Sequence, residues 1–334
     1  MADPESLEAA YLLSSSAFLR SMLSPELHFT RDLLERVTAT ARKHGDRYLE
    51  AQAVLGHASA TVYAERYATR ELLTQFRHAG KIAAEIREEF LELRASLNVV
   101  VDLLILGRTE EASREAEAMH AKAKWSGDRI AELHACRALR LVAWHESRWD
   151  DLVTLCDRLI AISPPRWSQS GMDLQYRAAA RFQTGENAEG FRDLDLLLGQ
   201  APEHARTTPD ILFACANAVA DGAYLSADPR LLGEAESCAR KLLASDHATH
   251  YARTHAHRAL GLVAVCRHDT PAAEAEQRHL SNALESNRRE ERPLLAWHHD
   301  LGVLARMLGR PDDAVAHFER TLRRPGAAAS RAAG

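Results

Sequence analysis

Between Ala296 and Pro325 the apolar residues fall into two helical series separated by a turn. In the first series Trp297, Leu301, Leu304 and Leu308 recur at helical spacing, while Gly302 and Ala305 keep part of the same face small. Gly309 stands where that helix should stop, because a left-handed residue costs least when it is glycine. Pro311 then opens a second helix with Asp312 and Asp313 in its first turn, where φ and the helix dipole favour them. Ala314, Val315, Phe318 and Leu322 form the expected apolar face of this second helix, and Arg323, Arg324 and Pro325 close it. The pattern predicts a helical hairpin whose two helices approach closely at Gly302 and Ala314.

The remainder of the chain reads as weaker copies of this hairpin. Taking the small residue early in each second helix as the marker, copies fall at Thr30, Ala68, Ala112, Leu152, Gly190, Ala235, Ala273 and Ala314, spaced by 38, 44, 40, 38, 45, 38 and 41 residues. Leu260-Gly261 with Ala273 is a good copy; in the copy around Arg140 and Leu152 those two residues replace the small ones. The Gly-Asp-Arg triplets beginning at Gly45 and Gly127 lie 82 residues apart, room for two such units. Ser6 to Leu23 reads as a first helix, and Ser24-Pro25 starts the next, which ends at Lys43-His44-Gly45-Asp46. No stretch alternates as a strand would. The predicted organisation is a capping helix over residues 1–24, a helical array over 25–325 and a disordered tail over 326–334. Proline, serine and glycine at 163–171 predict a kink, with shorter loops at 201–210 and 226–229.

The hairpin resembles a tetratricopeptide repeat. The family pattern is a Leu-Gly pair, a turn glycine, a small residue early in the second helix, an aromatic four residues later and a closing proline. Those roles fall on Leu301, Gly302, Gly309, Ala314, Phe318 and, one place early, Pro325. The resemblance implies an all-α fold, a right-handed superhelical solenoid of antiparallel helix hairpins in about eight units. The period here is longer than the family's usual value of about 34 residues. Loose units of this size in an Ala-, Leu- and Arg-rich chain are also similar to the C-terminal repeat regions of bacterial ATPase-type transcription activators and nucleotide cyclases. There such repeats sense a ligand or partner, but no ATPase, cyclase or DNA-binding part accompanies them in this sequence.

Composition narrows the class. Of 334 residues 46% are apolar and only 6% aromatic, which suits an array of packed helices. With 42 basic against 47 acidic residues the formal charge is −5, which argues against a general nucleic-acid surface. Cys136, Cys156, Cys215, Cys238 and Cys266 are odd in number, widely spaced and without a C-x-x-C pair, so they read as reduced packing residues of a cytoplasmic protein. Tyr11 to Leu23 follows Asp3, Glu5 and Glu8 and is interrupted by the three serines Ser14 to Ser16, so no signal peptide is expected. Leu97 to Leu106 contains Asp102 and is too short to span a bilayer, so no membrane partner is expected.

Motifs of catalysis are missing. There is no phosphate-binding loop, dinucleotide fingerprint, nucleophile elbow or H-E-x-x-H helix; His145-Glu146 begins the last pattern, but Trp149 ends it. Seventeen histidines include a group at His247, His250, His255 and His257 and a pair at His298-His299. Spacing alone gives them no coordination geometry, and they read as surface or packing residues with no metal and no cofactor implied.

The candidate site follows from the family resemblance, which places partner segments against the first helix of each hairpin, on the side away from the second. Carried over copy by copy, that face holds Arg137, Leu141, Trp144 and His145, then Gln175 and Phe182, then His255 and Arg258, then His299, Val303 and Arg306. Arg, Gln or His recurs at one position, in Arg137, Gln175, Arg258 and His299, and Ala220 breaks the series. Such a face suits an acidic or carboxylate-bearing peptide, with arginine forks reading carboxylates and Trp144 adding apolar area. The competing reading of the same arginines is pairing with Asp and Glu on neighbouring helices. The function expected is a non-catalytic protein- or peptide-binding scaffold; the alternative is a small-ligand sensor whose effector domains lie elsewhere.

Overall fold

The computed structural model describes residues 6–23, 27–65, 70–163, 167–200, 209–226, 228–246, 248, 250–286 and 297–322. They form sixteen α-helices and one 3-10 turn, with no strand among the described residues. Two compact units divide the chain, Met1–Leu139 and Arg140–Gly334.

The first unit holds α1 (Leu7–Leu23), α2 (Leu27–His44), α3 (Arg47–Glu65), α4 (Arg70–Glu85), α5 (Glu89–Ile105), α6 (Thr109–Ser126) and most of α7 (Arg129–His145). From α1 to α6 each helix packs on the next in sequence, and α3 also packs on α1 and α5. Ala10 of α1 meets Leu33, Leu34, Val37 and Ala41 of α2 and Leu49 and Ala53 of α3 in one apolar cluster. Burial of these side chains, at about 1.5 to 3 kcal/mol for each large one, is what holds helices of this length together.

The second unit continues with the end of α7, α8 (Trp149–Ile162), α9 (Trp167–Thr184), α10 (Asn187–Gln200), α11 (Pro209–Ser226), a 3-10 turn (Pro229–Leu231), α12 (Leu232–Ala244), α13 (His250–Arg267), α14 (Thr270–Ser286), α15 (Trp297–Met307) and α16 (Pro311–Leu322). Sequence neighbours again pack together, and α9, α11, α13 and α15 also pack side by side. Helix α11 has Leu212, Cys215, Ala216, Ala218, Val219, Ala220 and Ala223 all buried within one apolar cluster. Its many small side chains fit that place, since α9, α12 and α13 all press against it.

One turn is used repeatedly. At residues 45, 87, 107, 147, 185, 268 and 309 a left-handed residue ends a helix. Its N–H bonds three residues back and the next N–H bonds five back, as in Gly45 to Arg42 (3.2 Å) with Asp46 to Ala41 (2.9 Å). This double bond satisfies carbonyls that a helix end otherwise leaves orphaned. Gly107, Ser147 and Gly185 stand 40 and 38 residues apart, and His268 and Gly309 stand 41 apart, so the repeat period is written in the backbone. The Gly-Asp-Arg triplets are a stop and a start in succession. After Gly45 the Asp46 Oδ1 accepts the Leu49 N–H at 2.9 Å, and after Gly127 the Asp128 Oδ1 accepts those of Ile130 and Ala131 at 2.7 and 2.8 Å.

The Ala296–Pro325 hairpin becomes α15 and α16. A Cβ built on Gly302 would lie 2.6 to 2.9 Å from three atoms of the Phe318 ring, so glycine here is a condition of close approach. The expected apolar face needs one correction: Val315 is 55% exposed, because it turns away from α15 while Ala314 and Phe318 face it. The interruption expected at 163–171 is narrower than drawn. α8 ends at Ile162, and Trp167 to Gly171 already belong to α9. Arg140, which stands in place of a small residue, is accommodated by a buried ion pair with Asp173 and by packing over the Tyr176 ring, 4.4 Å from its centroid. The marker at Ala68, the loop over 201–208, Pro325 and the tail lie outside the described residues.

Candidate functional site

The first helices α9, α11, α13 and α15 of the second unit place most of the expected binding residues on one packed row. At its centre lies Arg258 of α13, whose side chain is 13% exposed. Its Nη2 donates to Asp221 Oδ1 at 2.6 Å, its Nε to Asp300 Oδ2 at 2.7 Å and its Nη1 to Asn217 Oδ1 at 3.2 Å. Asn217 and Asp221 are one turn apart on α11, and Asp300 is on α15, so one guanidinium joins three helices. Nδ1 of His255, three residues before Arg258, lies 3.2 Å from the same Asn217 oxygen.

The electrostatics follow from burial and pairing. Burial alone would lower the Arg258 guanidinium, but Asp221 and Asp300 hold it above its ordinary value. Burial would raise the Asp300 carboxyl, yet Arg258 and His299 keep it below the usual carboxylate range. For Asp221 burial wins, and its carboxyl is raised despite Arg258. At the rim, His299 is half exposed, 3.5 Å from Asp300 Oδ1 by Nδ1, with its ring beside Phe318. Arg306 is exposed and hydrogen-bonds Tyr224 of α11, whose hydroxyl burial pushes up.

The other expected residues divide differently. Val303 and Phe182 are buried and line no face; Phe182 fills the space beside Gly190 and Gly222 instead. Gln175 of α9 is half-buried, and its Oε1 is enclosed without a hydrogen-bond partner among the described residues. Trp144 stacks edge-on against Trp149 and Tyr176, which ties α7 to α8 and α9 and spends its apolar area on packing. His145 Nδ1 sits 3.1 Å from the Leu141 carbonyl of its own helix. Arg137 belongs to the first unit, half-buried near His134; burial, then Arg137 and Arg94, push that imidazole down to about 4.

The face is therefore less basic than its sequence suggests. Of the two readings of Arg258, a reader of carboxylates or a partner for acids on neighbouring helices, the structure shows the second: it is a buried cation already holding two carboxylates. Asn217, Asp221, Tyr224 and Asp300 were missed as members of the site. A signal existed, since Asn217, Arg258 and Asp300 follow one another at 41 and 42 residues, the repeat period. Reading the series at Ala220 instead missed Asn217 and Asp221 on either side of it.

The arrangement presents a fixed polar floor with His299, Arg306 and Tyr224 above it. Cys266 of α13 is half-buried, and burial raises its thiol. Among the described residues no three or more His, Cys, Asp or Glu side chains are grouped to hold a metal ion, and no helix is long and apolar enough to cross a membrane. Of the histidine group, His255 meets Asn217 and His257 meets Glu276, so they point to different partners, while the side chains of His247 and His250 lie outside the described residues. An open pocket of about 230 Å³ by the Gly127 turn, lined by His120, Lys124, Asp128 and Glu132, is too small for a drug-sized ligand. Compared with models of known protein families and with curated proteins, the chain matches none.

Proposed function

We propose that this chain is a non-catalytic scaffold of tetratricopeptide-like hairpins, about eight in a right-handed superhelix, that binds a polypeptide segment of a partner in the cytoplasm. The observation that carries this reading is the row α9, α11, α13 and α15, where the Arg258 network immobilises a polar floor and leaves His299, Arg306 and Tyr224 at its rim. Such a row offers an extended peptide hydrogen-bonding groups that need little ordering on binding, which is where preorganisation gains affinity. A preference for carboxylate-bearing segments rests on Arg306 with His299, because the charge of Arg258 is already matched.

A displayed library of random peptides, selected on the full chain, tests the proposal. It expects a convergent motif carrying an acidic residue, with affinity falling at least tenfold in the Arg306→Ala, His299→Ala double variant while helical content is unchanged. Failure to converge, or equal binding by the double variant, overturns it.

A further inference from the structure

We propose that His298 and His317 form a two-imidazole site for a divalent transition-metal ion of the zinc, nickel and copper group. His298 lies on α15 and His317 on α16, and their Nδ1 atoms face each other at 3.0 Å. The ring centroids are 5.3 Å apart and the planes tilted by 35°, so the two Nδ1 atoms meet almost head-on between the helices. Metal–nitrogen bonds of about 2.0 to 2.1 Å in tetrahedral geometry place two ligand nitrogens about 3.3 Å apart, so the pair must open by about 0.3 Å and each ring must swing until its lone pair leaves the line between the nitrogens.

The exchange of the shared proton for a metal ion balances. Two neutral imidazoles this close share one N–H, donor in one ring and lone pair in the other. When a metal enters, that proton moves to Nε2 of its own ring and both Nδ1 lone pairs become ligands, with no net proton released. Both rings are half-buried, which leaves access for the ion and for water in the remaining positions. Asp313, one turn before His317, adds a negative charge that Arg320 opposes. Imidazole favours this group of metals over magnesium or calcium. Occupancy would clamp α15 to α16 across the Gly302–Phe318 contact, coupling metal binding to the stability of that hairpin.

The test titrates the full chain with ZnCl2 by calorimetry in a non-chelating buffer at neutral pH, beside His298→Gln and His317→Gln. Glutamine keeps a hydrogen-bonding side chain, and equal melting of the three metal-free proteins shows that the fold is retained. Wild type is expected to bind one equivalent that either variant loses or holds at least tenfold more weakly, and zinc is expected to raise the melting temperature of wild type alone. A second measurement needs no variant: at one equivalent of Cu2+, electron paramagnetic resonance should show coupling to two imidazole nitrogens. Unchanged binding in either variant, no binding by wild type, or coupling to fewer than two nitrogens overturns the site.

Discussion

Asp102 in the first unit and Asp300 in the second are buried to the same degree, 0% and 3% exposed, yet their surroundings oppose each other. Asp300 meets Arg258 at 2.7 Å and stays ionised below the ordinary carboxylate range. Neither carboxylate oxygen of Asp102 has a hydrogen-bond partner among the described residues, and burial pushes the group up to about 7. The comparison teaches that burial does not decide what a charge costs. A partner on a neighbouring helix does, because the desolvation that penalises a lone carboxylate also strengthens its attraction to a cation within reach.

The two acids should therefore give opposite slopes of stability with pH. Asp300, lowered in the folded state, contributes stability that is present above its unfolded value and lost as pH falls through its folded one. Asp102, raised from 3.8 to about 7, contributes stability that is full below 3.8 and lost as pH rises toward 7.

The largest expected effect breaks the paired side. Arg258→Met leaves Asp221 and Asp300 buried without their cation and should cost about 3 to 5 kcal/mol in urea unfolding at pH 7, with much of it restored when both aspartates become asparagine. Repairing the lone side comes next. Asp102→Leu should stabilise by about 2 to 4 kcal/mol at pH 7.5 and by much less at pH 4, read as melting temperatures at both values. A stability unchanged at pH 7.5 would show that Asp102 finds a partner in solution.

A smaller expected effect separates packing from charge within the second unit. Gly302→Leu drives a side chain into the Phe318 ring and should cost about 1 to 3 kcal/mol, independent of pH. Smallest of all is a control common to both units. Arg87, with φ of 60°, and His268, with φ of 55°, occupy the left-handed turn position that glycine fills elsewhere. Arg87→Gly and His268→Gly should each stabilise by about 0.5 to 1 kcal/mol, with similar melting shifts, since the turn device is the same. Unequal shifts would show that the units differ in their turns as well as in their buried charges.

How much was legible varied with the range of the cause. Gly45, Gly127 and Gly309 could be read as stops because a left-handed turn residue acts within its own few neighbours, and all three have positive φ. The nearness of Gly302 and Ala314 to the opposite helix was legible from their size and helical spacing. Val315 was misplaced because its side of α16 depends on where α15 lies against it. In the candidate site, the sequence named the right helices for His255, Arg258, His299 and Arg306, but it could not say which would be exposed. Arg258 and Arg306 are the same residue type at neighbouring hairpins; one is enclosed by Asp221 and Asp300, and the other reaches solvent beside Tyr224.

By itself, then, the sequence determined the helices, their turns and their period, since helix propensity, apolar spacing and left-handed stops are properties of short stretches of chain. Only the tertiary structure decided the fate of each charge. Arg258 is neutralised by residues 37 and 42 positions away, whereas Asp102 is buried with neither oxygen hydrogen-bonded among the described residues. Pairing across helices is settled by how closely they pack, to within an ångström, and no local pattern of residues encodes that distance.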